Sequence, residues 1–83
     1  MKTKLNITKL QYIHTDINDE LLSACKNFQA FNSGHEGYAV IKEELDELWE
    51  EVKKKNWEHD KTALRKEACQ VAAMGMRFMI DLT

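Results

Sequence analysis

The chain contains no proline and only three glycines. These two residues interrupt helices most often, so their scarcity permits long helical segments. The two cysteines, Cys25 and Cys69, fit no paired motif, and we therefore expect no disulfide. No apolar run approaches the roughly 20 residues needed to span a bilayer, so we expect no membrane span.

The chain also lacks a strong excess of either charge, with 12 basic and 14 acidic residues and a net charge of −2. This balance gives no general attraction to nucleic acid polymers or anionic membranes. The first residues lead into no long apolar stretch, so we expect no signal peptide and a reduced, cytoplasmic protein. A single domain over residues 1–83 is small enough that we expect a homodimer or homotetramer to supply further burial.

Apolar residues recur at spacings of three and four along most of the chain, which is typical of amphipathic helices. The pattern predicts an all-α chain with three helices, at about 8–31, 34–55 and 61–82. The connections are short, which favours a helical hairpin packed on a third helix. We expect these helices to assemble into four-helix bundles as a homo-oligomer.

Local sequence signals predict where each helix begins. Thr8 with Gln11, and Ser33 with Glu36, have the spacing of capping boxes, and Asp60 is a suitable cap for the third helix.

Each helix has a predicted apolar stripe that we expect to face the core. The stripes are Leu10, Ile13, Ile17, Leu21, Ala24, Phe28 and Phe31 in the first helix, Tyr38, Ile41, Leu45, Leu48 and Val52 in the second, and Leu64, Ala68, Val71, Gly75, Phe78 and Leu82 in the third.

Two pairs of oxygen-bearing side chains follow the helical repeat beside these stripes. Glu44 and Glu47 lie one turn apart in the second helix, and Glu67 and Gln70 have the same spacing in the third. Carboxylates along a core boundary repel one another unless a cation is present, and Mg²⁺ accepts a few carboxylates together with water and phosphate oxygens. The pattern is compatible with a Mg²⁺ site between the helices or with a solvated acidic face.

Residues 35–48 followed by 65–74 resemble the MazG-type all-α nucleotide pyrophosphohydrolases. Members of that family carry two adjacent glutamates and a third glutamate three residues later. After a spacer they carry a further glutamate with an aspartate three residues on. The resemblance covers the second and third helices, roughly half of the chain.

The matching positions are specific in combination. Glu43, Glu44 and Glu47 correspond to the first motif, and Glu67, after 19 intervening residues, corresponds to the start of the second. Gln70 stands where the family has aspartate. Its amide carbonyl can bind a cation but supplies no charge.

The resemblance implies hydrolysis of a nucleoside triphosphate to its monophosphate and pyrophosphate, with Mg²⁺ or, as a substitute, Mn²⁺. It implies Glu44, Glu47, Glu67 and Gln70 as metal ligands, and Glu43 either as a group that hydrogen-bonds the ligands or as a water-orienting base. The candidate phosphate contacts are Arg77, Lys66 and Lys42, with Arg77 first because its planar fork binds oxyanions in pairs. The candidates for a base pocket are Phe28, Phe31, Asn32 and Trp49.

Two other functions fit the same residues. One is a non-catalytic helical interaction or oligomerisation module whose acidic face is solvated or meets a basic partner. The other is a regulator that binds Mg²⁺-nucleotide without hydrolysing it. Gln70 bears on the choice, because a missing ligand charge weakens an enzyme more than a binding protein.

Overall fold

The computed structural model describes residues 1–55, 57 and 60–83. The described residues form three helices, α1 (Ile7–Asn27), α2 (Gly34–Val52) and α3 (Lys61–Leu82), and no strand. The prediction of an all-α chain with three helices is confirmed. None of these three described helices combines the length and apolar character that crossing a membrane requires.

The predicted caps hold for α2 and α3 but not for α1. Ser33 Oγ accepts from the Glu36 N–H at 3.1 Å, and the Asp60 carboxylate accepts from two N–H groups in the first turn of α3. The predicted cap Thr8 is wrong, because Asn6 accepts the N–H three residues on at 3.0 Å and α1 begins at Ile7. An asparagine side chain is at least as good a cap as threonine.

The ends of α1 and α2 differ from the prediction. α1 ends at Asn27 instead of residue 31, because Phe28 adopts an extended backbone and the following segment turns towards α3. The backbone N–H of Phe31 donates to the Asp81 carboxylate at 2.9 Å, which ties that segment to the end of α3. α2 ends at Val52, three residues before the predicted end.

α3 is the central helix, and α1 and α2 both pack on it. Phe78 lies against Gly37 and Gln70 lies beside Glu44, so α2 runs antiparallel to α3. α1 runs parallel to α3. Asp16 of α1 pairs with Arg65 near the start of α3 at 2.9 Å. Residues 29–31, which follow α1, contact Arg77 and Asp81 near the end of α3. The backbones of α1 and α2, both fully described, do not approach each other. This arrangement is the predicted hairpin with a third helix packed on it.

The core of the described chain is thin. Its buried apolar residues are Leu21, Ala24, Phe31, Ala73 and Met74. The apolar stripes predicted from the sequence are therefore too wide: Phe28, Tyr38, Leu45 and Val52 are between 44% and 68% exposed, and Ala68 is exposed. Three helices do not cover every apolar face, since α1 and α2 each pack mainly on α3.

Replacing Gly37 by alanine should destabilise the fold by roughly 1–3 kcal/mol, because the added Cβ overpacks the core. A Cβ at this position would lie 2.6 Å from a ring carbon of Phe78 and 3.2 Å from one of Phe31. Gly34→Ala is the matched control on the same helix, since nothing lies within 4 Å of its added Cβ. Urea unfolding measures both; equal stability of the two variants would contradict this packing.

Candidate metal centre

Three carboxylates from two helices meet at one point. Glu44 and Glu47 on α2 and Glu67 on α3 each place one oxygen so that the three oxygens lie within 4.8 Å of one another. Glu44 and Glu67 are half-buried, whereas Glu47 is exposed. We refer to these three residues as the glutamate cluster. Such a group of oxygens, open to solvent on one side, has the chemistry of a site for a hard divalent cation.

Gln70 completes the arrangement as a hydrogen-bond donor. Its amide nitrogen donates to Glu67 Oε2 at 3.0 Å and to Glu44 Oε2 at 3.1 Å. Carboxylates accept and do not donate, which assigns the nitrogen to this side of the amide. Gln70 therefore bridges the carboxylates of α2 and α3, and a half-turn of its amide would present the carbonyl oxygen to a cation instead.

The environment of the cluster disfavours negative charge. Burial, followed by the charge of Glu47, raises the pKa of Glu44 from its usual 4.5 to about 7. Burial and then the charge of Glu47 also raise the pKa of Glu67, and the positive charge of Lys66 partly opposes this shift. A cation bound among these oxygens would relieve the repulsion and favour the ionised forms.

A cavity of about 460 Å³ opens beside the cluster, between α1 and α2. Its volume falls in the range of small-molecule sites, roughly 300–1,000 Å³. Glu44 belongs both to the cluster and to the wall of this cavity, so a ligand in the cavity would reach the cluster. Glu43, the predicted water-orienting base, also lines it and is exposed.

Arg77, the first candidate for a phosphate contact, lines the cavity and is only 5% exposed. Its guanidinium donates to the backbone carbonyl of Gln29, lies 3.6 Å from the Asp81 carboxylate and stacks 4.5 Å from the centre of the Phe31 ring. Much of its hydrogen-bonding capacity is thus used inside the chain. A phosphate contact by Arg77 stays a prediction.

The other two predicted phosphate contacts lie outside the cavity wall. Lys42 forms an exposed ion pair with Asp46 at 3.2 Å. Lys66 lines a separate recess, together with Arg65 and Asp16, between α1 and α3. Neither lysine lines the cavity, and a phosphate contact by either stays a prediction.

The predicted base-pocket residues divide into two groups. Phe28 and Phe31 line the cavity. Asn32 does not line it, but its amide nitrogen donates at 3.2 Å to Oε2 of Glu36, which does. Trp49 is 58% exposed and does not line the cavity. By the helical repeat it belongs to the side of α2 that bears Tyr38, away from Glu44.

Sequence reasoning missed three polar residues in the cavity wall, namely Glu20, Gln29 and Glu36. Glu20 could have been found, because it precedes the buried Leu21 and so lies at the edge of the α1 core face. Glu36 was assigned only a capping role. No local sequence pattern predicts that Gln29 lines the cavity, since its position depends on the turn after α1.

Comparison of the chain with protein-family models, with curated proteins and with solved structures gives no match. The functional inference therefore depends on the glutamate cluster, on the adjoining cavity and on the resemblance of motif positions 43–47 and 67–70. Of these, the cluster and the cavity are structural observations.

Without a divalent cation, the melting temperature should fall as the pH rises from 5 to 8, and Glu44→Gln should reduce this fall. The folded-state pKa of Glu44, about 7, exceeds its usual value of 4.5. Folding therefore gains stability from proton binding at low pH, and this stability is lost as the pH rises through about 7. Differential scanning calorimetry in chelator measures the change.

Glu50→Gln serves as the control for this measurement, because Glu50 pairs with Lys53 on the exposed surface of the same helix. The control should retain the full pH dependence. Identical pH dependence in both variants would mean that Glu44 does not titrate in this environment.

Proposed function

We propose that this chain is a Mg²⁺-dependent nucleoside triphosphate pyrophosphohydrolase of the MazG type. The observation that carries the proposal is the meeting of the Glu44, Glu47 and Glu67 oxygens within 4.8 Å, from two separate helices. The match of these positions, with Glu43, to the family motif supports it. The adjoining cavity gives the nucleoside a place to bind.

The spacing of the cluster suits a small cation. Ligand oxygens lie about 2.1 Å from Mg²⁺, so oxygens that share one ion lie about 3–4 Å apart. Oxygens within 4.8 Å of one another reach that separation through small side-chain rotations. Mn²⁺ takes the same oxygen ligands and serves as a substitute.

A bound Mg²⁺ would neutralise charge on the phosphates and position the attacking water. Glu44, Glu47 and Glu67 would hold the ion, and Gln70 would either donate to Glu44 and Glu67 or turn its carbonyl towards the ion. Glu43 orients the water and accepts its proton. The bond between the α- and β-phosphates breaks, water supplies the new oxygen, and the products are the monophosphate and pyrophosphate.

A regulator that binds Mg²⁺-nucleotide without hydrolysis is the second candidate. The observation that favours it is the position of Gln70, which donates to two carboxylates and contributes no negative charge. A hydrogen-bond donor in the cluster is compatible with nucleotide binding but lowers the affinity for the catalytic ion.

We propose further that a second copy of the chain covers the apolar side of the α2–α3 hairpin. Tyr38, Leu45, Trp49 and Met79 are each more than half exposed there, beside an apolar recess of about 450 Å³ between the two helices. The helical repeat puts Leu45 and Trp49 on the side of α2 away from Glu44. Two hairpins joined through this side would form a four-helix bundle and leave both clusters accessible.

Mg²⁺ or Mn²⁺ should raise the melting temperature, and the protein should release pyrophosphate from a nucleoside triphosphate. The double variant Glu44→Gln/Glu47→Gln should lose both responses, because two of three charged ligands are removed. Thermal unfolding and a coupled pyrophosphate assay measure them, with Glu50→Gln as a matched control. A melting response that survives in the double variant would place the ion elsewhere.

The same assays separate the candidate functions. Metal-dependent nucleotide binding without pyrophosphate release would identify the regulator. If neither metal nor nucleotide has an effect, the helical interaction module is the remaining candidate.

In the enzyme, Gln70→Asp should lower the melting temperature when no metal is present, because two hydrogen-bond donors are lost and a negative charge is added. The same variant should strengthen Mn²⁺ binding and increase pyrophosphate release.

The chain should sediment as a dimer or larger assembly at micromolar concentration, and Trp49→Glu should shift it towards the monomer. A charge at this exposed aromatic position would be buried without a partner in the bundle. Leu22→Glu is the control, because Leu22 is 68% exposed on α1. A wild-type monomer in sedimentation velocity would refute the assembly.

A further inference from the structure

We infer that the cavity beside the glutamate cluster prefers nucleobases that carry an amino group, with the Glu36 carboxylate accepting from that group. Cytosine, adenine and guanine would therefore bind better than uracil, thymine or hypoxanthine. This inference rests on the proposed function and names the substrate class of the same site.

The floor of the cavity is apolar and suits a flat ring. Ala24, Phe31 and Met74 form part of it, and each is only 6% exposed. Phe28 lines the same cavity and remains 68% exposed, so a face of its ring is accessible for stacking. Stacking on an aromatic side chain holds any base and does not distinguish one from another.

The cavity has two ends, which fit the two ends of a nucleotide. Glu44 lies at the end that joins the cluster, where the phosphates would meet the ion. Glu36 precedes Glu44 by two turns of α2, roughly 12 Å along the axis. Phe28 and Gln29 follow α1 and line the cavity close to Arg77 of α3. Because Phe78, the next residue of α3, lies against Gly37, this end of the cavity is the one with Glu36.

One carboxylate at this end, that of Glu36, can accept from the edge of a base. The Glu36 carboxylate takes one hydrogen bond from Asn32 through Oε2, which leaves Oε1 for a ligand. Arg77 lines this end of the cavity, where it donates to the Gln29 carbonyl and pairs with Asp81. A nucleotide bound in this orientation would place its phosphates away from Arg77, so it would not make the predicted phosphate contact. The far end of the cavity therefore offers a ligand one carboxylate acceptor, Glu36 Oε1.

A carboxylate at this end would discriminate among bases by their exocyclic groups. The N4 amino group of cytosine, the N6 amino group of adenine and the N2 amino group of guanine can each donate to a carboxylate. Uracil and thymine present a carbonyl where cytosine has its amino group, so two acceptors would face each other. Such a pair leaves both groups without a hydrogen bond.

The sharpest test compares substrates that differ by one amino group. The kcat/KM of the wild-type protein with Mg²⁺ should be roughly tenfold higher for dCTP than for dUTP, and for dGTP than for dITP, because one base-edge hydrogen bond discriminates by about that factor. Glu36→Gln should bring both ratios close to one, since an amide can donate or accept. Glu50→Gln, remote from the cavity, should keep the wild-type ratios.

Failure of this inference can be told apart from failure of the proposed function. Hydrolysis of dUTP as fast as dCTP, or unchanged ratios in Glu36→Gln, would overturn the base preference and leave the pyrophosphohydrolase intact. If no triphosphate is hydrolysed, the thermal shifts given by dCMP and dUMP still measure the preference. A larger shift with dCMP that Glu36→Gln abolishes supports it, and equal or absent shifts overturn it.

Discussion

The buried contact between the end of α3 and the segment after α1 determines the form of the cavity. Arg77 donates to the Gln29 carbonyl and stacks on Phe31, while Asp81 pairs with Arg77 and accepts the Phe31 N–H. A buried charge is costly unless it is fully paired, so this network tolerates few alternative arrangements. It ends α1 early, ties the turn to α3, and separates α1 from α2. The cavity occupies the space between them.

The glutamate cluster is a place where the packing of α2 on α3 is electrostatically unfavourable. Packing α2 on α3 buries carboxyl groups and brings like charges together, and the raised pKa values of Glu44 and Glu67 reflect first this burial and then the repulsion. Gln70 moderates it by donating to both carboxylates. Perturbed carboxyl groups beside a cavity are characteristic of functional sites, although structural networks also produce them. A cation bound by these groups would compensate the repulsion between them.

The same hairpin has two sides with different chemistry. One side bears the cluster and the cavity, and the other bears Tyr38, Leu45 and Trp49, all more than half exposed. The core of the described chain is small, and this surface is one of the places where apolar side chains remain exposed. Our proposal assigns the first side to a nucleotide and the second to another copy of the chain.

The sequence alone was sufficient for the features that depend on neighbours three or four residues away. These include the caps Ser33 and Asp60, the bounds of α3 and the row formed by Glu44 and Glu47, because capping and helical periodicity are local. The tertiary structure alone decided that Phe28 is exposed and that Arg77 is buried in an internal network. It also decided that Gln70 donates to carboxylates on both helices. These outcomes depend on contacts between segments far apart in the chain, for which local spacing carries no information.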